Sequence, residues 1–496
     1  MKTKKSTKVL LMLAGALLVA GTMQAQDDQT PPTPPAKVLD DNGISGITDG
    51  MGSTYGKGGL WGYAFGDYAF QTKGDSSGRG TKQQYKGLGG NNQTLNQNAF
   101  EIRRAYLGYD AKINSKFSAT MLLAYEGDED VNANRSVYLK YAYFRWKNIW
   151  KGTDLKIGQM ATNSFADAYN TEPLMDYRAS EKTIIDMHGV DGSSDMGIYL
   201  GGKIYTFKNP DSTKQNAFIG YSLMMGNNSG NSVVPGFGGA TATSLPATLT
   251  SSTVSIPTIS QKTGHDTTIS VTPTITQTLN PFNGTTDNSK KFRAHLYGNL
   301  LNGMLTVGVY GDYINYGDFY YGTGKAYQHA VMTEKAYFAF NSKWFGVGFE
   351  WFQQTYKNGE YEVVAKGGTG TNDTTNAVQT GFSVFAHGTL IQKRLNIYVR
   401  YDNYVADNDY SYNYNSTIKG PDVLYTSLFS NVSNAANGNP FKESFVNAGL
   451  DWTPTKDKKI HLMPNVWYYG IKNAYGSDNL ASSNYMLYRV TFLFAF

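Results

Sequence analysis

The stretch Tyr485-Met486-Leu487-Tyr488-Arg489-Val490-Thr491-Phe492-Leu493-Phe494-Ala495-Phe496 decides the fold. Read in steps of two, one face carries Met486, Tyr488, Val490, Phe492, Phe494 and Phe496. The other carries Tyr485, Leu487, Arg489, Thr491, Leu493 and Ala495. A period of two is the spacing of a strand, whose side chains point alternately to opposite faces. The first face suits hydrocarbon, and the second holds the polar groups.

The same alternation recurs along the chain. Phe292–Leu300 divides into Phe292, Ala294, Leu296, Gly298, Leu300 and Arg293, His295, Tyr297, Asn299. Leu395–Asp402 divides into Leu395, Ile397, Val399, Tyr401 and Asn396, Tyr398, Arg400, Asp402. Such runs, bounded by Gly, Asn and Asp, read as half-buried strands. About sixteen are expected, near 60–70, 99–111, 117–126, 135–146, 154–160, 195–205, 216–225, 291–300, 304–313, 335–341, 344–356, 378–390, 395–404, 444–452, 460–470 and 484–496. Connections alternate between short (112–116, 147–153, 206–215, 301–303, 342–343, 391–394, 453–459) and long (71–98, 127–134, 161–194, 226–290, 314–334, 357–377, 405–443, 471–483). This pattern predicts an all-β fold, a transmembrane antiparallel barrel with short periplasmic turns and long extracellular loops. A soluble barrel would need an apolar interior, and an open sheet would expose its edges.

Composition agrees. Aromatic residues make up 14% and glycines number 54, yet charged residues reach only 17%. The chain has no cysteine, which excludes disulfides, thiolate metal sites and cysteine nucleophiles. Lys2, Lys4, Lys5 and Lys8 precede an apolar run from Val9 to Ala20. That order predicts a secretory signal peptide over 1–25, too short in its apolar core to span a bilayer as a helix. Residues 26–57, with Pro31-Pro32-Thr33-Pro34-Pro35, read as a periplasmic tether, and 58–496 as the barrel. The leader holds four lysines and no acid, so the remainder is almost neutral. A nucleic-acid partner is therefore not expected. Tyr141, Tyr143, Trp146 and Trp150 fit an interfacial aromatic girdle.

Phe496 resembles the terminal aromatic signal that the barrel assembly machinery of Gram-negative bacteria reads. Phe100-Glu101-Ile102-Arg103-Arg104-Ala105-Tyr106-Leu107-Gly108 resembles the opening strand of the phosphate-selective porin O and P family. Leu155-Lys156-Ile157-Gly158-Gln159 is similar to that family's strand entering its third long loop, and Asp195-Met196-Gly197 to the strand after it. The resemblance implies a sixteen-stranded, usually trimeric outer-membrane channel, in contact with lipid and lipopolysaccharide, whose third loop folds inward. That loop is 161–194 here. The family's basic lining is not matched after Gln159, where Met160-Ala161-Thr162-Asn163-Ser164-Phe165 follow. Passive passage of small hydrophilic solutes or ions is the implied function, with phosphate preference unsupported.

On that reading Asp167, Glu172, Asp176, Arg178, Glu181, Lys182 and Asp186 are the constriction candidates, because opposed charges across a narrow pore sort solutes. Parity gives Arg104, Lys140, Lys156, Lys203, Arg293, Lys335, Arg400 and Arg489 as basic lumen residues. Asp110, Glu126, Asp312, Glu350, Asp402 and Asp451 are their acidic counterparts, so an excess of two bases suggests a mild anion preference. Arg103 adjoins Arg104 and is expected on the opposite face. No cofactor is required. Asp128-Glu129-Asp130 and Asp407-Asn408-Asp409 offer hard oxygen ligands for structural calcium at the extracellular rim, although neither has the calcium-loop pattern. Ser180, Asp186 and His188 supply the residue types of a hydrolytic triad but lack the strand–elbow–helix setting that exposes a nucleophile, so no enzyme is expected. The rival reading is a closed barrel whose loops 226–290 and 405–443 serve adhesion or scaffolding.

Overall fold

The computed structural model describes residues 58–73, 97–127, 136–164, 182–207, 217–228, 254–259, 266–271, 290–301, 304–321, 325–364, 374–392, 394–408, 413–415, 420–427, 441–455, 459–473 and 483–496. Its strands are β1 (Gly58–Lys73), β2 (Gln97–Lys112), β3 (Phe117–Glu126), β4 (Tyr138–Trp150), β5 (Thr153–Ala161), β6 (Ser194–Phe207) and β7 (Ala217–Gly226). There follow β8 (Val254–Ile259), β9 (Asp266–Val271), β10 (Lys291–Leu300), β11 (Leu305–Tyr321), β12 (Lys325–Asn341), β13 (Phe345–Val364) and β14 (Thr374–Ile391). Last come β15 (Leu395–Val405), β16 (Asn413–Asn415), β17 (Gly420–Ser427), β18 (Phe441–Trp452), β19 (Ile460–Asn473) and β20 (Ser483–Ala495). One short helix, α1 (Ile184–Met187), lies between β5 and β6.

Sixteen strands form the wall, each antiparallel to its neighbour. β7 pairs with β10 across the β8–β9 hairpin, and β15 pairs with β18 across β16 and β17. The ring closes where β1 meets β20, with Tyr63 opposite Ala495 and Tyr68 opposite Val490. Closure leaves no unpaired edge, which is what lets a sheet sit in hydrocarbon. The wall's exterior is apolar: Leu107, Phe292, Leu296, Val309, Ile397, Val490 and Phe494 are all exposed. Alternating with them along the strands are buried groups of the interior, among them Arg293, Tyr398 and Arg489. This is the inverse of a water-soluble barrel and defines a membrane-spanning wall.

The closing seam has one tight approach. Phe496 donates its N–H to the Gly62 carbonyl at 3.0 Å, and its ring lies over Gly62, where a Cβ would stand 2.4 Å from it.

Four sequence expectations are corrected. The connection expected at 314–334 is a hairpin, because β11 runs to Tyr321 and β12 starts at Lys325. Likewise β13 and β14 extend well into 357–377. Beyond the bilayer both faces of a strand meet water, so the apolar alternation stops while the pairing continues. Tyr141 and Tyr143 are buried inside rather than in the girdle, whereas Trp146 and Trp150 are exposed. Finally, Arg103 is inside together with Arg104. Phe65 pairs with Arg104 but Gly66 with Ile102, so Arg103 is the extra residue of a β-bulge. A second bulge opposite Leu122 and Leu123 does the same for Lys140.

Candidate functional site

The chemistry of the chain is concentrated on the inner wall and on the segment between β5 and β6. The described parts of that segment lie against the inner wall. Thr162 and Ser164 start it, and Lys182–Ser193 return it to β6. Asp167, Glu172, Asp176, Arg178 and Glu181 lie outside the described residues, as does Ser180.

The returning part is a strap docked on the wall. Thr183 caps α1, accepting the Asp186 N–H at 3.4 Å. Ile184, Ile185 and Val190 are buried in one cluster with Phe352, Tyr404, Phe445 and Trp467 from β13, β15, β18 and β19. Gly381 on β14 makes room for this contact, since a Cβ there would meet Phe352 at 2.6 Å and Ile184 at 2.9 Å. The strap's backbone is held from the wall: Gln354 Nε2 donates to the Val190 carbonyl at 2.8 Å, and the Arg400 guanidinium to that of Lys182. Lys335 donates to the Ser164 carbonyl at 3.3 Å. Buried backbone carbonyls require such donors, so these bonds fix the strap's path.

Asp191 makes the strongest attachment. It accepts from Lys291 Nζ at 2.9 Å, from Arg293 Nη2 at 3.0 Å and Nε at 3.1 Å, and from Ser164 Oγ at 2.6 Å. Arg293 also reaches Asp195 at 2.8 Å, and Lys291 reaches Asp312 at 3.1 Å. Burial pushes the Asp191 carboxyl up, but Arg293 and Lys291 outweigh it and hold the group well below the usual carboxylate range. His188 stacks on Tyr404 with ring centroids 3.6 Å apart, and its Nε2 stands 3.7 Å from Glu443. Burial, then Arg400, lowers its pKa to about 3. The ring is thus neutral near pH 7, and the contact with Glu443 is not an ion pair. Asp186 stands 4.0 Å from Lys182 Nζ.

Across the barrel lies a second cluster. Glu126 receives Arg104 Nη1 at 3.0 Å together with Tyr106 and Lys140, and Lys140 also donates to Ser193 at 3.1 Å. Asp67 is shared by Arg103, Thr491 and, at 3.7 Å, Arg489. The Arg489 guanidinium lies 3.6 Å from the centroid of Trp467. Arg400 is bidentate on Asp402, at 2.9 and 2.7 Å. Lys335 pairs with Glu350, and Lys156 lies over the rings of Tyr143 and Tyr199. Lys203 is half-buried near the short-turn end, where its N–H bonds to the Gly152 carbonyl.

Sequence parity missed several members. Arg103 was hidden by the bulge; Lys291, Asp67 and Asp195 share parity with inward neighbours and could have been found. Asp191 and Glu443 carry no sequence signal for their partners. Adding Arg103 and Lys291 to the bases, and Asp67, Asp191, Asp195 and Glu443 to the acids, removes the basic excess. Among the described residues no group of three His, Asp or Glu side chains could hold a metal ion. Asp128-Glu129-Asp130 lies outside them, and Asp407 accepts the Val378 N–H at 2.9 Å.

A closed membrane barrel with a charged, strap-crossed interior is the class these features define. No family model matches the chain, and no curated protein matches it by sequence. Among solved structures it is similar to the outer-membrane channel DcaP of Acinetobacter baumannii, at 11% identity over 90% of this chain and 100% of that one, with a TM-score of 0.49. It is also similar to OprB of Pseudomonas putida, at 10% identity over 88% and 94%, TM-score 0.48. An anion-selective porin from Comamonas acidovorans matches at 11% identity over 89% and 99%, TM-score 0.43.

Proposed function

We propose that this chain is an outer-membrane porin of a Gram-negative bacterium, through which small hydrophilic solutes or ions pass by diffusion. The observation that carries this reading is the strap: a segment tied to the wall from several sides inside a barrel whose outside is apolar. A strap held this way narrows the interior while its charged anchors order water and sort solutes. Export through segment 1–25, assembly guided by Phe496, and a homotrimer bathed in lipid and lipopolysaccharide belong to the same proposal. The balanced inner wall gives no support to phosphate or general anion preference.

The test is single-channel recording of the purified protein in a planar bilayer. Stable conductance steps are expected. Silence from protein that still shows heat-modifiable migration would overturn the channel reading and return the function to the outer loops.

A further inference from the structure

Charge outside the membrane band is divided between the two ends of the barrel. In sequence, the seven short connections hold ten Lys or Arg against two acids, Asp211 and Asp457. The seven long ones other than the strap segment hold eight against eleven. A chain that is nearly neutral overall thus has one basic rim and one acidic rim.

The described part of the basic rim has a repeating construction. Exposed Lys116, Lys151, Lys343 and Arg394 sit in four different turns. Beside them are exposed apolar groups: Ile113 near Lys116, Trp150 next to Lys151, Trp344 next to Lys343, and Ile391 near Arg394. Lys343 Nζ lies 5.0 Å from the centroid of Trp344. Backbone bonds link successive turns, from Lys147 N–H to the Lys116 carbonyl at 2.7 Å and from Thr453 N–H to the Arg394 carbonyl at 2.8 Å. The backbone under Lys116 and under Arg394 is therefore fixed to the neighbouring hairpin.

We propose that this rim binds the headgroups of anionic phospholipids in the leaflet that the short turns face. A soluble acidic protein would satisfy the charges but not the apolar groups that alternate with them. A phospholipid satisfies both, its phosphate meeting the cation and its upper acyl chain the Trp or Ile. The acidic rim at the other end disfavours the same lipids, so the contact also fixes which end faces which leaflet.

The test reconstitutes the whole protein in vesicles of equal phosphatidylglycerol and phosphatidylethanolamine, then counts retained lipids by native mass spectrometry after gentle detergent release. Several-fold more phosphatidylglycerol than phosphatidylethanolamine is expected on the wild type. The variant K116Q/K151Q/K343Q/R394Q, checked for folding by heat-modifiable migration, should retain the two equally. Equal retention by the wild type would overturn the proposal without any variant being needed. So would a folded variant that keeps the phosphatidylglycerol excess. Neither readout depends on conductance, so the channel reading stands or falls separately.

Discussion

Asp191 neutralises two buried cations at once, so its removal costs more than one ordinary hydrogen bond. Breaking a buried ion pair from one side costs about 3–5 kcal/mol, because the partner charge is left unpaired. Asp191→Asn should undock the strap without opening the wall. Hydrogen exchange at Met187, His188 and Val190, whose N–H groups bond within the strap, checks it: these amides should lose protection while β10 keeps its own. Acid acts through a different residue. The docked His188 refuses a proton until about pH 3, whereas an undocked histidine takes one near 6.5. Docking is therefore fully favoured above 6.5 and weakens by about 1.4 kcal/mol for each pH unit below it. Asp191 acts in the same direction but at lower pH: its depressed pKa keeps its contribution intact until pH falls below the ordinary carboxylate range. Between pH 7 and 5 only His188 operates, for a loss of about 2 kcal/mol. His188→Gln should abolish that pH dependence of strap protection.

Among the elements, the β1–β20 seam is the most exacting, because it joins the two sequence ends of the sheet. Phe496 covers Gly62 with no space for a side chain. Gly62→Val should displace the ring, loosen closure and lower the temperature at which the barrel loses its compact migration in gel electrophoresis. Gly298→Val is the control, as a Cβ there meets nothing closer than 3.7 Å. The same seam shows what was legible in the sequence. The lipid-against-interior contrast of Tyr485–Phe496 is written in the residues, because hydrocarbon outside and polar groups inside impose opposite chemistries on adjacent positions. The bulges at Arg103 and Lys140 break that rule locally, and an alternation cannot show where it skips a residue. Nor could it show β11 and β12 continuing beyond the membrane. The strap was legible only as a long connection between β5 and β6. Its docking depends on Asp191 meeting Lys291 and Arg293, a hundred residues distant in sequence, and on Arg400 reaching the Lys182 carbonyl.

For the molecule as a whole, the distribution of charge matters more than its sum. The arc from β19 through β20 and β1 to β4 carries Arg103, Arg104, Lys140 and Arg489 against Asp67 and Glu126. The arc facing it, β10 to β13 with the strap, is balanced, with Asp191, Asp312 and Glu350 against Lys291, Arg293 and Lys335. Asp195 on β6 and Glu443 and Asp451 on β18 offset the basic surplus of the first arc, so the interior as a whole is near neutral. A salt gradient across the channel should therefore give a reversal potential near zero, with the permeability ratio of potassium to chloride within about a factor of two. Strong preference for either ion would mean that the pairs seen here separate in the conducting state. Along the axis the balance is different, since the acidic rim concentrates cations at one mouth and the basic rim concentrates anions at the other. Near 0.01 M salt the Debye length is about 30 Å, long enough for each rim to govern its whole mouth, but at 1 M it is about 3 Å. The current should consequently differ between equal positive and negative voltages in dilute symmetric salt and become symmetric at 1 M. Neutralising Lys116, Lys151, Lys343 and Arg394 should remove much of the low-salt asymmetry while leaving the conductance at 1 M unchanged. Asymmetry that survived at 1 M would place its origin in the strap rather than in the rims.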